Sequence, residues 1–233
     1  MLGGMTARFK ELCLDIGPTE GAVASFWAGA AGLRLDLASG EPGDLLGEQE
    51  GMGIALCPVP EDRTVKQRVH LDVSVNSLAE LTALGATELE SREHWTVMAD
   101  PAGGEFCAFV REGELPSYRV FEVVVDAQDP ERIARWWAER FGVEARNDGR
   151  PWWWLDAVPG FPTGLPWWGM VFAPVPESKT VKNRIHWDVY ADPSEFLDAG
   201  AQLLWEIPGR TRPIAWTTLA DPEGNEFCVF NES

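Results

Sequence analysis

The stretch PVPESKTVKNRIHWDV, residues 174–189, repeats an earlier stretch of the same chain, PVPEDRTVKQRVHLDV, residues 58–73. A second pair follows downstream, ADPAGGEFCAF at 99–109 and ADPEGNEFCVF at 220–230. The openings of the two halves, KELCLDIGPTEGAVASFWAGAAG and FEVVVDAQDPERIARWWAERFG, match more weakly. Self-similarity of this kind indicates a duplicated structural unit. We place the join near residues 111–119 and predict domains at 1–112 and 118–233.

Each half contains the order strand, helix, strands twice over. Short runs rich in β-branched and aromatic residues, such as VFEVVVD, RIHWDVY and NEFCVF, predict strands. Helices are predicted to begin after the capping residues Thr19, Ser77, Asp129 and Asp192. Each predicted helix is followed by a glycine that can end it, and for the third helix this residue is Gly142. The sequence therefore predicts an α+β fold of four βαβββ modules, with mainly antiparallel sheets and helices on one face.

Composition limits the class of protein. Of the 233 residues, 45% are hydrophobic and 24% are charged, which is typical of a globular chain. No apolar run approaches the roughly 18 residues that span a bilayer, and the start lacks the pattern of a secretory signal. The four cysteines lie in apolar runs without CxxC spacing, so we interpret them as reduced core residues rather than a zinc site. We expect a cytoplasmic protein without a membrane partner.

The net charge of −18 argues against nucleic-acid binding, because such a surface repels phosphate backbones. The basic stretches RTVKQR and KTVKNR are short. We expect a small-molecule ligand, no nucleic acid, and a monomer or a homodimer.

Alternation along the repeated strand predicts a polar face. In NRIHWDVY, Arg184, His186, Asp188 and Tyr190 share one side, and the first half repeats the pattern around His70. We expect the apolar side to pack on the helices and the polar side to line the cupped side of the sheet. Arg184 and Tyr190 are accordingly candidate substrate contacts.

Four glutamates stand in otherwise apolar strands: Glu11, Glu105, Glu122 and Glu226. Carboxylates in such surroundings need a partner, since burying a bare charge is costly. One imidazole with two carboxylates suits manganese, nickel, zinc or iron, with open positions for a substrate. Glu226 and Glu105 are also candidate catalytic bases.

The motifs TVKNRIHWDV, DPEGNEFCVF and DPERIARWWAERFG resemble the glyoxalase/bleomycin-resistance/dioxygenase group, the vicinal oxygen chelate superfamily, and most of all its bacterial glyoxalase-like members. The resemblance covers nearly the whole chain, twice. It implies paired modules that curl into half-open barrels, often around a divalent metal. The metal ligands that it implies are Glu122, His186 and Glu226, with Glu11, His70 and Glu105 as the other set.

The sequence also departs from the patterns of this group. Glyoxalase I has a further glutamate ligand late in the first module, where this chain has Cys57 or Ala173. Extradiol dioxygenases use two histidines, and each half here offers one, since His94 lies in a polar loop. This chain therefore lacks the complete metal-ligand set of glyoxalase I and also that of the extradiol dioxygenases. A cavity without metal, in which His186 bonds Glu226 directly, is the alternative.

Residues 150–169 contain five of the twelve tryptophans. RPWWWLDAV and PWWGMVFAPV are predicted to be neighbouring strands joined by the turn PGFPTGLP. Alternation places Trp152 and Trp154 on one face and Trp153 on the other, and likewise separates Trp167 from Trp168. We predict a small-molecule pocket beside Trp152, Trp154 and Trp168. A subunit interface or a thick core is the competing interpretation.

Two barrel pairings remain open at this point. In the first, module one pairs with module two, and module three pairs with module four. In the second, module one pairs with module four, and module two pairs with module three. In the second arrangement Glu122 meets the first half's candidate ligands, and Glu11 meets those of the second half.

These patterns lead to two main hypotheses. The first is a metal-dependent lyase, isomerase or dioxygenase-like enzyme that acts on a small, rather apolar or aromatic molecule. The second is a metal-free binding protein that sequesters a planar compound, in the manner of bleomycin-resistance proteins.

Overall fold

A computed structural model describes residues 6–38, 40–165, 168–205 and 216–231. It confirms the predicted α+β class and the four modules. Module 1 consists of β1 (Arg8–Ile16), α1 (Ala22–Ala31), β2 (Arg34–Asp36), β3 (Asp44–Leu46) and β4 (Ile54–Pro58). Module 2 consists of β5 (Val69–Val75), α2 (Leu78–Ala83), β6 (Thr87–Ser91), β7 (Thr96–Ala99) and β8 (Glu105–Val110).

The second half repeats this order. Module 3 consists of β9 (Val120–Ala127), α3 (Pro130–Phe141), β10 (Trp153–Asp156) and β11 (Gly169–Pro174). Module 4 consists of β12 (Ile185–Tyr190), α4 (Pro193–Asp198), β13 (Gln202–Trp205), β14 (Trp216–Ala220) and β15 (Glu226–Phe230). In module 3 a single bridge between Arg146 and Trp154 stands where the other modules have a further strand.

Three of the four predicted helix caps are confirmed. Asp129 accepts a hydrogen bond from the Arg132 amide, Asp192 does so from the Ser194 amide, and Ser77 forms a capping box with Glu80. The prediction of Thr19 was wrong, because α1 begins after Gly21 without a side-chain cap. The Thr19 amide instead donates to Asp62, which places Thr19 in the preceding turn.

The strands form two sheets, and each sheet takes strands from both halves of the chain. The eight-stranded sheet, here called sheet 1/4, has the order β13-β14-β15-β12-β1-β4-β3-β2. The seven-stranded sheet, here called sheet 2/3, has the order β10-β11-β9-β5-β8-β7-β6. Antiparallel pairing of β1 with β12 and of β5 with β9 joins the halves. The structure thus has the second of the two arrangements, with module 1 beside module 4 and module 2 beside module 3.

The two long helices connect the sheets. Trp27 of α1 packs against Phe106 of β8, although the strands of module 1 lie in the other sheet. Trp137 of α3 packs in the same way against Trp187 of β12 and Phe227 of β15. All five of these rings are buried. The helices therefore hold the outer faces of the two sheets together through one continuous apolar core.

The repeated ADPxGxEF motif anchors these tryptophans. In its first copy, Asp100 closes the turn by accepting from the amides of Ala102 and Gly104, and it also accepts from Trp27 Nε1 at 3.2 Å. Asp221 does the same in the second copy, where Trp137 Nε1 lies 3.2 Å away. The motif recurs because one carboxylate satisfies both the turn and the indole.

None of the helices in the described ranges is long and apolar enough to cross a membrane.

The cross-half pairing predicts how the halves behave when they are separated. Residues 1–112 and 118–233, purified singly, should not be stable monomers, because the β1 and β5 edges of one half would be unpaired. Each half should dimerise or aggregate, and mixing during refolding should yield a 1:1 complex. Analytical ultracentrifugation measures the association state of each half and of the refolded mixture. A folded, monomeric half with native helix content would contradict the prediction.

Candidate functional site

The inner face of sheet 2/3 brings polar side chains of three strands into one row. Cys107 of β8 pairs in register with Asp72 of β5, and Asp72 pairs in turn with Glu122 of β9. His70 lies two residues before Asp72, on the same face. The row exists because side chains alternate along each strand and the pairing register aligns the polar positions.

His70, Asp72 and Cys107 form a compact cluster, in which the potential donor atoms all lie within 4.8 Å of one another. His70 Nε2 lies 3.3 Å from Asp72 Oδ1 and 3.6 Å from Cys107 Sγ. Burial by itself lowers the pKa of His70, but the bonds and charges of Asp72 and Cys107 outweigh it and raise the pKa to about 10. The cluster therefore combines an imidazolium with a carboxylate.

Glu122 is the unpaired acid of this face. No residue in the described part of the chain forms a hydrogen bond or an ion pair with its carboxylate. Burial, followed by the neighbouring charge of Asp72, raises the pKa of Glu122 to about 7, although Arg111 and His70 oppose the shift. The carboxyl group is therefore poised to gain or lose a proton near neutral pH.

A cavity of about 600 Å³ opens beside Glu122. Apolar surface slightly exceeds polar surface in its walls, and Trp154 and Trp168 both contribute to them. Phe161 packs edge-on against Trp168, with the ring centroids 4.2 Å apart. The buried Nε1 of Trp168 has no hydrogen-bond partner among the described residues. An apolar cavity with a few convergent polar groups is the usual form of a small-molecule site.

The loop that closes one side of the cavity is held against β1. The Phe9 amide donates to Pro159 O at 2.7 Å, so the loop follows the strand closely. Gly160 has φ +90°, and a Cβ atom there would lie 1.9 Å from Phe9 O. Only glycine fits this approach. Ala157, at φ 53°, is the non-glycine residue with positive φ in the described chain, and it also lines the cavity.

Three other predicted contacts are not among the residues that line this cavity: Trp152, Tyr190 and Arg184. Trp152 stacks under Arg150, whose guanidinium carbon is 4.8 Å from the ring centroid. Tyr190 lies under Arg8 at 4.6 Å, in sheet 1/4. The predicted Trp167 position lies outside the described residues.

Arg184, also predicted as a substrate contact, is bound within the protein. Its Nη2 lies 2.5 Å from Glu20 Oε2, and its Nη1 donates to Glu61 O at 2.8 Å. Both groups belong to the first half of the chain. Arg184 thus links module 4 to module 1.

Sheet 1/4 carries the duplicate of the polar face, but lysines neutralise its glutamates. Lys179 Nζ lies 2.5 Å from Glu226 Oε1, and the Asn183 amide donates to Glu226 Oε2 at 3.1 Å. Lys10 pairs with Glu11 and lies 3.6 Å from Asp188 Oδ2. The carboxylates of Glu226 and Glu11 are therefore occupied by ammonium groups.

The same positions of sheet 2/3 have no such partners. Phe121 stands before Glu122 where Lys10 stands before Glu11. Arg63, the counterpart of Lys179, donates instead to the carbonyls of Val65 and Ala102. Glu105 accordingly forms no ion pair with any residue that the structure describes, and it lies outside the His70 cluster.

His186 lies in a different environment from His70. It is 7% exposed, and its Nδ1 has no hydrogen-bond partner within the described residues. Burial lowers the pKa of His186, against the opposing charges of Asp188 and Asp15. Its nearest potential donors are Cys13 and Asp188 rather than Glu226.

Sequence reasoning placed the two histidines on the inner faces but did not select Asp72, Asp188 or the cysteines as site residues. The alternation already put both aspartates on the histidine face. Cys107 and Cys228 stand two residues after Glu105 and Glu226, so the same rule places them there too. Their apolar neighbours concealed this signal.

Comparison with known proteins agrees with this architecture. The sequence profile of the family described as "Glyoxalase-like domain" matches residues 11–109 and again residues 122–230. No curated protein sequence matches the chain significantly.

Solved structures resemble the whole chain. Glyoxalase I from Zea mays is 12% identical, with a TM-score of 0.62, over 97% of this chain and 92% of that one. A putative dioxygenase from Bacillus subtilis subsp. subtilis str. 168 is 15% identical, with a TM-score of 0.60, over 98% and 86%. At these identities the likeness shows the shared fold alone. With both halves matched by the profile, the chain belongs to the glyoxalase-like domain family and carries two tandem copies of the domain.

Proposed function

We propose that the cavity of sheet 2/3 binds a small, planar, largely apolar molecule and that Glu122 exchanges a proton with it. The observation that carries this proposal is the unpaired, desolvated Glu122 carboxyl at the base of an aromatic cavity. A group with a pKa near the working pH is the most effective general base or acid. The reaction class that fits best is a proton shift, as in an isomerase or a lyase.

The walls supply the affinity in this proposal. Trp154 and Trp168 offer indole faces and edges, and a planar ligand removes apolar surface from water at roughly 25 cal/mol per Å². Aromatic contact adds about 0.5–1.5 kcal/mol per pair. The Glu122 carboxyl, when protonated, provides a donor for a carbonyl oxygen. Together these groups orient a flat molecule with at least one oxygen.

The His70 cluster fits a divalent metal of borderline softness. Imidazole, carboxylate and thiol donors within 4.8 Å suit zinc or iron better than magnesium or calcium. His70, Asp72 and Cys107 would hold the ion, and Glu122 stands opposite Asp72 on the neighbouring strand. When bound, such an ion supplies Lewis-acid polarisation of a ligand oxygen. His70 would have to release the proton that Asp72 now helps it to retain.

A metal-free binding protein is the second candidate. His70 and Asp72 already balance each other's charge, so the cluster is electrostatically complete without an ion. In that case the cavity sequesters its ligand and Glu122 only accepts a hydrogen bond. The metal content of the purified protein, measured by atomic emission, distinguishes this candidate from the first.

The cavity predicts a selective loss of binding. Titration with neutral aromatic ketones, phenols and quinones should change the tryptophan fluorescence, and Trp154→Ala should weaken binding about tenfold, which corresponds to the loss of one aromatic wall. Trp216→Ala, an exposed indole of sheet 1/4, is the matched control and should leave the affinity unchanged. Equal effects of both variants, or no binding across the panel at millimolar concentration, would refute the cavity assignment.

The role of Glu122 predicts a loss of proton exchange. A ligand that binds should incorporate solvent deuterium next to its carbonyl group, and Glu122→Gln should slow this at least about 100-fold while binding is kept. NMR of the ligand measures the rate. Glu88→Gln, on the exposed edge strand, is the control. If the wild-type protein binds a ligand but catalyses no deuterium exchange into it, with or without added zinc or iron, the enzyme hypothesis is wrong. The metal-free binding function would then replace it.

The raised pKa of Glu122 also predicts a pH-dependent stability. Between about pH 4.5 and 7 the folded protein holds a proton at Glu122 that the unfolded chain has released, so stability falls as the pH rises through this window. Glu122→Gln should therefore raise the free energy of unfolding by about 1–3 kcal/mol at pH 8 and leave it unchanged below pH 4.5. Urea denaturation at several pH values measures the difference. A variant that is less stable at pH 8 would contradict the assignment.

A further inference from the structure

A second cavity, here called the junction cavity, lies where the two halves of the chain are joined. Its volume is about 280 Å³, close to the lower end of the range for small-molecule sites. Residues 111–121, which lead from β8 into β9, supply most of its walls, and Ser74 of β5 and Leu165 complete them. Leu165 also lines the larger cavity beside Glu122, but Glu122 does not line the junction cavity. The two cavities are therefore neighbours with different polar groups.

Arg119 is the unusual group of the junction cavity. Its Nη1 is buried and has no hydrogen-bond partner among the described residues, and its guanidinium forms no ion pair with any of them. Arginine keeps its charge in proteins, so the group cannot avoid the cost by losing a proton. A buried charge without a partner costs stability. The guanidinium is therefore suited to an anion that comes from outside the chain.

The duplicated chain supplies an internal comparison for this arginine. Arg8 and Arg119 each stand three residues before the inner-face glutamate of the strand that opens their half. Arg8 pairs in register with Tyr190, and its guanidinium carbon lies 4.6 Å from the ring centroid. Its Nη1 lies 2.6 Å from Glu50 Oε1. An aromatic ring and a carboxylate of the chain itself thus satisfy the arginine of sheet 1/4.

Both of these partners are replaced in sheet 2/3. The Ser74 amide donates to Arg119 O at 2.9 Å, which gives Ser74 the register position that Tyr190 has in the other sheet. Ser74 has no ring to cover a guanidinium, and it lines the junction cavity instead. In the repeat, Glu50 corresponds to Pro166, which carries no charge. The two substitutions leave an arginine without its carboxylate beside an open cavity.

Arg111 brings a second guanidinium to the junction cavity. Its guanidinium carbon lies 5.2 Å and 5.5 Å from the ring centroids of Phe109 and Phe121, and such cation-π contacts hold the charge in place. Glu112 and Glu114 also line the cavity, but both are exposed, so water screens their charges. The two guanidinium groups therefore favour an anion inside the cavity.

We propose that the junction cavity binds a small organic acid and that Arg119 is the main partner of its carboxylate. The planar fork of a guanidinium matches the two oxygens of a carboxylate. The Ser74 hydroxyl offers a further donor. Leu115, Phe121 and Leu165 line the same cavity and provide apolar surface for a short chain or a single ring. An acid with an apolar tail thus fits better than an inorganic anion.

This site is separate from the proposed function, which depends on Glu122 and the tryptophan walls of the larger cavity. The acid is tested with phenylacetate and hexanoate, and the neutral comparisons are phenylacetamide and hexanamide. Isothermal titration calorimetry of the intact chain should show one site per chain for an acid. The acid should bind at least about tenfold more tightly than its amide, because a charged hydrogen-bonded pair is lost with the amide.

Variants locate the bound acid. Arg119→Gln should weaken acid binding at least about tenfold and abolish the preference for acid over amide, and Arg119→Lys should restore part of that preference. Ser74→Tyr introduces the side chain that the other sheet has at this position and should abolish binding by filling the cavity. Arg8→Gln, which changes the equivalent arginine of sheet 1/4, is the matched control and should leave the affinity unchanged. Trp154→Ala, in the larger cavity, should also leave it unchanged. Circular dichroism checks that each variant retains its helix content.

Four results would overturn the proposal. These are no acid binding at millimolar concentration, equal binding of acid and amide, equal losses from Arg119→Gln and Arg8→Gln, and full acid binding by Ser74→Tyr. A loss of acid binding in Trp154→Ala as large as that in Arg119→Gln would also contradict it, because the acid would then lie in the larger cavity. Failure of neutral aromatic ligands to bind beside Glu122 would refute the proposed function and leave these acid measurements unaffected.

Discussion

The pairing of β1 with β12, and of β5 with β9, is the constraint on which the rest of the structure depends. Both ladders lie near the middle of a sheet and both join the two halves of the chain. Glu122 of the second half consequently stands beside Asp72 of the first. The tryptophan-rich stretch of the second half borders a cavity that reaches this pair. The duplicated chain therefore builds each inner face from one module of each half.

The two inner faces have diverged through their charges. In sheet 1/4 the ammonium groups of Lys10 and Lys179 neutralise the two glutamates, and the Cys13 thiol and the Asp188 carboxylate lie close to His186. In sheet 2/3 Phe121 and Arg63 take the equivalent positions, and Arg63 turns toward backbone carbonyls. Burying an unpaired carboxylate costs stability, and folded proteins retain such groups mainly where they serve a function. That difference supports the proposal that a small molecule binds in the cavity of sheet 2/3.

Much of the fold was predictable because its signals are local. The capping residues Ser77, Asp129 and Asp192 mark helix starts through bonds within a single turn. Alternation along β5 and β12 placed both histidines on inner faces, and alternation in the tryptophan-rich stretch separated Trp154 from Trp153. The first cap failed for a reason that is not local, since the Thr19 amide donates to Asp62, which is distant in the sequence.

The sequence by itself determined the four modules, their strands and the polar side of each sheet, because a period of two residues decides which face a side chain takes. Only the tertiary structure decided which modules pair, and with that the partners of the polar groups on the inner faces. Arg184 reaches Glu20, Glu226 reaches Lys179, and Cys13 reaches His186 across separations of 47 to 173 residues. No periodicity encodes such contacts, because strand register and packing of the whole chain bring the atoms together. The same local pattern of His, Asp and Glu thus yields a glutamate without an ion-pair partner beside an open cavity in one sheet, and glutamates neutralised by lysines in the other.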